Sequence, residues 1–378
     1  MQSIGQAWVV FTLTKSPLLL GVLGAMQFLP VTIFTLFAGV LIDKYPKKKI
    51  LLFTQSVSMI LALILAALVF TKTVRYEYIL ILAVLLGITN SIDMPARQTF
   101  MIEIAGREDL MNAIALNSLT FNLAKILGPS LGALLMATLG AGWCFLINGL
   151  SFIAVIYGLL QIKVKSYVRE KKPENILSEI KDGLKYISKD RKLIQPVLLL
   201  LVVGIFAFNY GVLMPVFVKN VLHQEAETFG LLMAALGVGS VFGALTVPGR
   251  GKSDPKMKVM IISALIIGIL FFLIGSYTQY YATIIMLVLV GIFSIYFSTT
   301  ANTMLQVNST DEYRGRVMSV YSMVFAGATP IGSLFAGIAI SNSGVLETFK
   351  LSGVLIIFPI IIISLIFLKK RQKSIKNL

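Results

Sequence analysis

The sequence predicts an all-α polytopic membrane protein built from two copies of one helical unit. Three observations predict it. Hydrophobic residues make up 57% of the chain and charged residues only 13%, and the apolar positions fall in successive runs of about 20, the length that crosses a bilayer core. Lysine and arginine alternate between rich and poor loops, the charge pattern of a multispan protein. Gly39, Gly87, Gly128, Gly140 and Gly149 each find a glycine 204 residues later, at Gly243, Gly291, Gly332, Gly344 and Gly353. Five coincidences at one gapless offset make a repeat. The same offset lays Ala124, Gly128 and Gly132 over Ala328, Gly332 and Ala336, a small-xxx-small stripe that lets helix backbones approach closely in lipid.

Residues 1–14 are apolar but shorter than the ~20 residues a span requires. The repeat pairs them with the later part of a complete span at 193–218, so the sequence predicts a truncated first helix whose front lies upstream of Met1. Whole spans are expected at 18–42, 48–70, 78–99, 110–139 and 142–162, then at 193–218, 227–248, 258–277, 279–305, 314–341 and 346–368. Residues 1–162 therefore form an N-terminal helix bundle with an incomplete first span, 163–192 a cytoplasmic amphipathic linker, 193–368 a C-terminal bundle and 369–378 a basic cytoplasmic tail. In the linker, Ile176, Leu177, Ile180, Leu184 and Ile187 share one helical face while Lys181, Lys185 and Lys189 lie elsewhere. Such a helix is expected on the cytoplasmic surface, held by its apolar face and by anionic head groups of membrane lipids.

A net charge of +16 would suggest nucleic acid for a soluble protein, but the positions of the charges decide otherwise. Of 33 Lys and Arg, 27 fall on the side of the 43–49 loop, five on the other side (Lys15, Lys72, Arg75, Lys219, Lys350), and Lys125 lies within a span. That is the positive-inside distribution, which places the 43–49 loop and the C-terminus in the cytoplasm and the chain in the cell membrane. Nucleic acid is excluded as a partner on this reading. Cys144 is alone, which rules out an internal disulfide, and the single histidine, His223, falls in an outer loop as a solvated residue. No phosphate-binding loop, metal-ligand cluster or nucleophile elbow occurs, so neither ATP hydrolysis nor an enzyme activity is expected, and no cofactor or metal.

Between the first two whole spans stands Gly39-Val-Leu-Ile-Asp43-Lys44-Tyr45-Pro46-Lys47-Lys48-Lys49. This pattern resembles the signature loop of the major facilitator superfamily, with Pro46 where that family often has Gly. The resemblance implies two pseudo-symmetric six-helix bundles and alternating access, with Gly39, Asp43, Lys44 and Lys47 as the gate. A helix N-terminus exposes unpaired amides, so an aspartate docked there is stabilised, and the span opening near Ser309-Thr310-Asp311 is the expected dock for Asp43. Lys48 and Lys49 read as topology markers.

Asp93 and Arg97 are spaced i, i+4 near the cytoplasmic end of their span and share a helix face. The run Asp93-Met-Pro-Ala-Arg97-Gln98, then Arg107-Glu108-Asp109-Leu110-Met111-Asn112-Ala113 and Asn122-Leu-Ala-Lys125-Ile-Leu-Gly128-Pro129, resembles the enterobactin exporter and macrolide efflux branch of the superfamily. The resemblance implies export. Lys125 is expected near mid-membrane, where an amine serves as a proton carrier or holds an anionic substrate; Asp93, Arg97 and Lys125 are thus the candidates for ion pairing and proton coupling. Gly128, Pro129 and Gly132 resemble an antiporter element in which proline kinks the helix and glycine allows close packing, a bend for rocking.

Polar or aromatic residues expected to line a substrate cavity are Gln6, Gln27, Asn122, Asn209, Tyr210 and Asn302, with Gln2, Phe208 and Tyr296 beside them. The expected function is secondary efflux of a small amphipathic compound, siderophore-like or macrolide-like, by a monomer that uses protons as the coupling ion. The alternatives are nutrient uptake by symport and a truncated, non-transporting membrane binding protein.

Overall fold

The computed structural model describes residues 2–105, 138–162, 176–246 and 257–376, together with positions 113, 120, 124, 128, 131, 132 and 134–136. Its helices are α1 (Gln2–Thr14), α2 (Pro17–Lys44), α3 (Lys47–Phe70), α4 (Tyr76–Ala105), α5 (Ala141–Gln161), α6 (Ile176–Lys189), α7 (Arg191–Phe206), α8 (Tyr210–Asn220), α9 (Ala226–Thr246), α10 (Met257–Ser276), α11 (Tyr280–Val307) and α12 (Asp311–Lys376). The chain forms two compact units, one of residues 1–174 with 224–234, the other of 175–223 with 235–378.

Local chemistry sets the helix ends. Ser16 caps α2 by accepting from the Leu19 amide at 3.3 Å, and Pro17 follows at the first helical position, where its missing donor costs nothing. Asp190 caps α7 by accepting from the Lys192 amide at 2.8 Å. The expected span at 193–218 is not one straight helix: it breaks at 207–209, between α7 and α8. The Asn209 amide donates to the Ile205 carbonyl, so a side chain serves the acceptor that the next helical amide would have used. Pro215, inside α8, removes a further ladder bond.

The repeat has a geometric counterpart. Gly140 (φ 92°, ψ 166°) and Gly344 (φ 82°, ψ 164°) adopt one left-handed conformation at equivalent positions, each opening a helix, and in both places a side chain would be strained. Gly344 accordingly bends α12 into two apolar segments where the sequence predicts two spans. Helix pairing repeats as well: Gly149 of α5 packs on Leu63 of α3, and Gly353 of α12 on the Gly268 carbonyl of α10. The tightest approach is between α9 and α11, where a Cβ added at Gly239 would collide with the Val288 carbonyl oxygen and one at Gly291 with the Leu236 carbonyl. Gly239→Ala is therefore expected to cost about 3 kcal/mol, read as a lower unfolding midpoint of the purified protein in detergent; an unchanged midpoint would mean the two helices can part.

Nine stretches among the described residues are long and apolar enough to cross a membrane. Large apolar side chains lie on their outer faces, among them Phe53, Tyr157, Leu245 and Phe358, each about two-thirds exposed. In the described part of α6, Ile187 is buried with Leu193, Val197, Leu305, Val317 and Val320. Tyr186 stacks on Tyr313, ring centroids 4.3 Å apart, and its hydroxyl accepts from the Thr310 amide at 3.3 Å. At this end of α6 Ile187 packs on protein, while Leu184, Lys181, Lys185 and Lys189 are exposed.

Candidate transport site

The first unit holds a polar cluster between α3 and α4. Asp93 is 7% exposed. Its Oδ1 accepts from the Thr54 hydroxyl and from the Gln55 amide, both at 2.7 Å, and its Oδ2 from the Arg97 guanidinium at 2.9 Å. Asp93 and Arg97 thus pair along one helix face, while Thr54 and Gln55 tie the carboxylate to the neighbouring helix. Arg97 remains half exposed and borders an apolar pocket of about 190 Å³ with Leu51, Phe100, Met101, Val155 and Leu159.

A second ion pair lies in the same unit. Lys47, nearly buried, meets Glu103 at 3.3 Å. Lys48 donates to the Leu160 and Ile162 carbonyls at 3.0 and 2.8 Å, capping the C-terminal end of α5, where a cation complements the helix dipole. Lys48, expected from the sequence as a topology marker, makes these two contacts besides. Gly39 lies within α2, and Asp43 and Lys44 close that helix; the side chains of the latter two lie outside the described residues.

Gln6 is fully buried and its Oε1 accepts from the Gln27 amide at 2.8 Å. Gln2 likewise accepts from Asn148 at 3.1 Å. Asn122, Lys125 and Pro129 lie outside the described residues. Gly128 is helical and half-buried, and Gly132 is buried with its carbonyl 3.5 Å from the Cys144 sulfur.

The second unit carries its own polar residues. Asn209 sits at the break before α8, packed so closely on Gly332 that a Cβ there would meet its side chain at 2.6 Å. The hydroxyls of Tyr210 and Ser294 are buried beside one another, with no other hydrogen-bond partner among the described residues. Asn302 lies on α11 and accepts from Gln306 at 2.6 Å. Tyr296 bonds Thr246 at 2.8 Å, and Phe208 packs on Phe325 at 5.8 Å.

Sequence reasoning missed Thr54, Gln55, Glu103, Asn148 and Ser294. The signal that could have found four of them is simple: each is a polar side chain interrupting an apolar run. Glu103 lies past the end of its apolar run and had no such mark.

Two repeated helical units with buried polar clusters define a transporter of the major facilitator superfamily. The chain belongs to the transmembrane secretion effector family, which matches residues 1–377. It is 28% identical over 357 residues to the staphyloferrin A transporter of Staphylococcus aureus, covering 93% of this chain and 88% of that protein. It is 24% identical over 351 residues to the multidrug efflux pump Tap of Mycolicibacterium fortuitum, with 90% and 85% covered. Macrolide efflux protein A of Streptococcus pyogenes is 22% identical over 366 residues, with 94% and 89% covered. Among solved structures, the nucleoside transporter NupG superposes with a TM-score of 0.74 at 11% identity, covering 96% of this chain and 94% of that one. A bacterial homologue of the human lysosomal transporter Spinster gives 0.69 at 12% identity, covering 96% and 92%. At such identities the structures speak for the fold alone. The chain is a multi-pass membrane transporter of small molecules and not an enzyme.

Proposed function

We propose that this transporter sits in the cell membrane with its C-terminus in the cytoplasm and exports a small amphipathic compound, siderophore-like or macrolide-like, in exchange for protons. The observation that carries the reading is Asp93: a carboxylate almost removed from water, bonded by two side chains of the next helix and by one half-exposed arginine. Buried ionisable groups in a membrane are expensive and mark ion pathways. Protonating Asp93 removes the charge that holds Arg97 while one oxygen still accepts from Thr54 and Gln55, so binding a proton frees the half-exposed arginine without parting α3 from α4. Efflux activity in two of the relatives supports the direction. The distribution of Lys and Arg supports the orientation.

On this reading residues 1–162 and 193–368 are the two moving bundles, joined by 163–192, and 369–378 is a cytoplasmic tail. Gly39, Asp43, Lys44 and Lys47 belong to the gate, Asp93, Arg97 and Lys125 to proton coupling, and Gly128, Pro129 and Gly132 to a bend. Gln6, Gln27, Asn122, Asn209, Tyr210 and Asn302 face the substrate. The lysines of α6 with Arg191 and Lys192 meet anionic lipid head groups, and the protein works as a monomer.

The test is proton release from energised inverted vesicles as ethidium or erythromycin is added, with the parent chain and with Asp43→Asn and Lys125→Met variants. Release by the parent that falls to background with Lys125→Met, and slows with Asp43→Asn, is the expected result. No release by the parent chain would overturn proton-coupled export, and full release by either variant would remove that residue from the machinery.

A further inference from the structure

We propose that Gln2 and Gln6, backed by Asn148 and Gln27, form an oxygen-recognising half-site for the transported compound. The inference rests on the transport reading above and adds the chemical class of the substrate: a small molecule carrying two hydrogen-bond acceptor oxygens about 6 Å apart, such as ester, ketone or carboxylate groups.

Gln2 and Gln6 are one helical turn apart on α1 and share a face. The carbonyl oxygen of each is used, Gln2 by Asn148 and Gln6 by Gln27. The Nε2 of each is buried with no acceptor, in side chains whose residues are 6% and 0% exposed. Protein interiors pair nearly all their buried polar groups, so two unpaired donors on successive turns point to a partner that arrives from outside. Without a ligand the protein carries the cost of these donors, and a ligand with acceptor oxygens removes it.

Shifted by the repeat distance, Gln6 falls on Tyr210, whose buried hydroxyl has the Ser294 hydroxyl beside it, so the two unsatisfied amides of α1 carry the inference by themselves. Around the glutamines the first unit is aromatic: Trp8 stacks on Phe229 at 5.2 Å, and Gly5 lies so close to the Phe145 ring that a Cβ would stand 2.7 Å from it. Uncharged N–H donors beside rings suit an amphipathic molecule that is rich in acceptor oxygens; a lipophilic cation without such oxygens gains nothing from the amides, whatever it gains from the rings.

The test uses the full chain in detergent and two probes: erythromycin, a macrolide rich in acceptor oxygens, and tetraphenylphosphonium, a cation with none. Erythromycin is expected to raise the unfolding midpoint of the parent. With Gln2→Met or Gln6→Met, about 5-fold more is expected for the same shift, and on the order of 25-fold more with both. The response to tetraphenylphosphonium is expected to stay as in the parent. The single variants keep the test decisive if the double variant does not fold. An unchanged erythromycin response, or equal loss for both probes, would overturn the half-site; no erythromycin shift in the parent would overturn the acceptor class. Proton release by the parent chain on addition of ethidium or erythromycin separates the two readings: release together with an unchanged erythromycin shift in the variants means that only the half-site is wrong, and no release with either compound means that the transport reading itself fails.

Discussion

Asp93→Asn is expected to abolish proton-driven export while leaving the protein folded. The geometry separates the two effects. An asparagine keeps one oxygen in place to accept from Thr54 and Gln55, so the tie between α3 and α4 survives, but its amide nitrogen replaces the oxygen that faces Arg97. Donor then meets donor. Because Arg97 is half exposed, it can turn to water, and the stability lost is small, about 1 kcal/mol. Asp93→Leu differs: the Thr54 hydroxyl can fall back on the Leu51 carbonyl at 3.1 Å, but the buried Gln55 amide loses its acceptor, at a cost of about 2 kcal/mol. The discriminating measurement is counterflow, in which substrate exchanges for substrate without a proton gradient. If Asp93 carries the proton, Asp93→Asn retains counterflow near the parental rate and loses gradient-driven export to background. Loss of both would make the carboxylate a clamp that the transport cycle needs intact, and retention of both would remove it from the mechanism.

The fold was legible because lipid leaves few choices. A backbone in hydrocarbon must satisfy its own hydrogen bonds, so each apolar run of about 20 residues is a helix almost by necessity, and Gly140 and Gly344 marked turns that only glycine makes without strain. The break at Asn209 was hidden, because neither proline nor a glycine pair stands at 207–209; it arises from a side-chain bond to Ile205 and from close packing on Gly332, both invisible in one dimension. The Asp93–Arg97 pair could be read from its spacing along one helix. Thr54 and Gln55 could not be assigned to it, because contacts between helices depend on rotation and register that hydropathy does not fix. The same limit applied to Lys47. The sequence drew attention to it as part of a basic loop, yet its partner lies on another helix, 56 positions away.

Lys47→Met is expected to destabilise the protein by about 3 kcal/mol, because it strands Glu103. The Glu103 side chain is 17% exposed, too little to rehydrate a carboxylate without moving α4, and removing one member of a buried pair costs more than the pair was worth. Lys47→Met combined with Glu103→Leu should recover most of the loss, since exchanging both charges for apolar groups of similar size is often neutral. Lys47→Arg keeps the charge and should cost about 1 kcal/mol or less. Unfolding midpoints for the two single variants and the double form a cycle, and a coupling near 2 kcal/mol or more would mean that the pair fixes the start of α3 to α4. That matters for the gate. Lys47 opens α3 directly after the Asp43 loop, so a strong pair makes the loop a rigid lever attached to α4, the helix that carries Asp93. A coupling below about 0.5 kcal/mol would leave the loop free of α4, and any signal from Asp93 to the gate would then have to run through the Thr54 and Gln55 contacts alone.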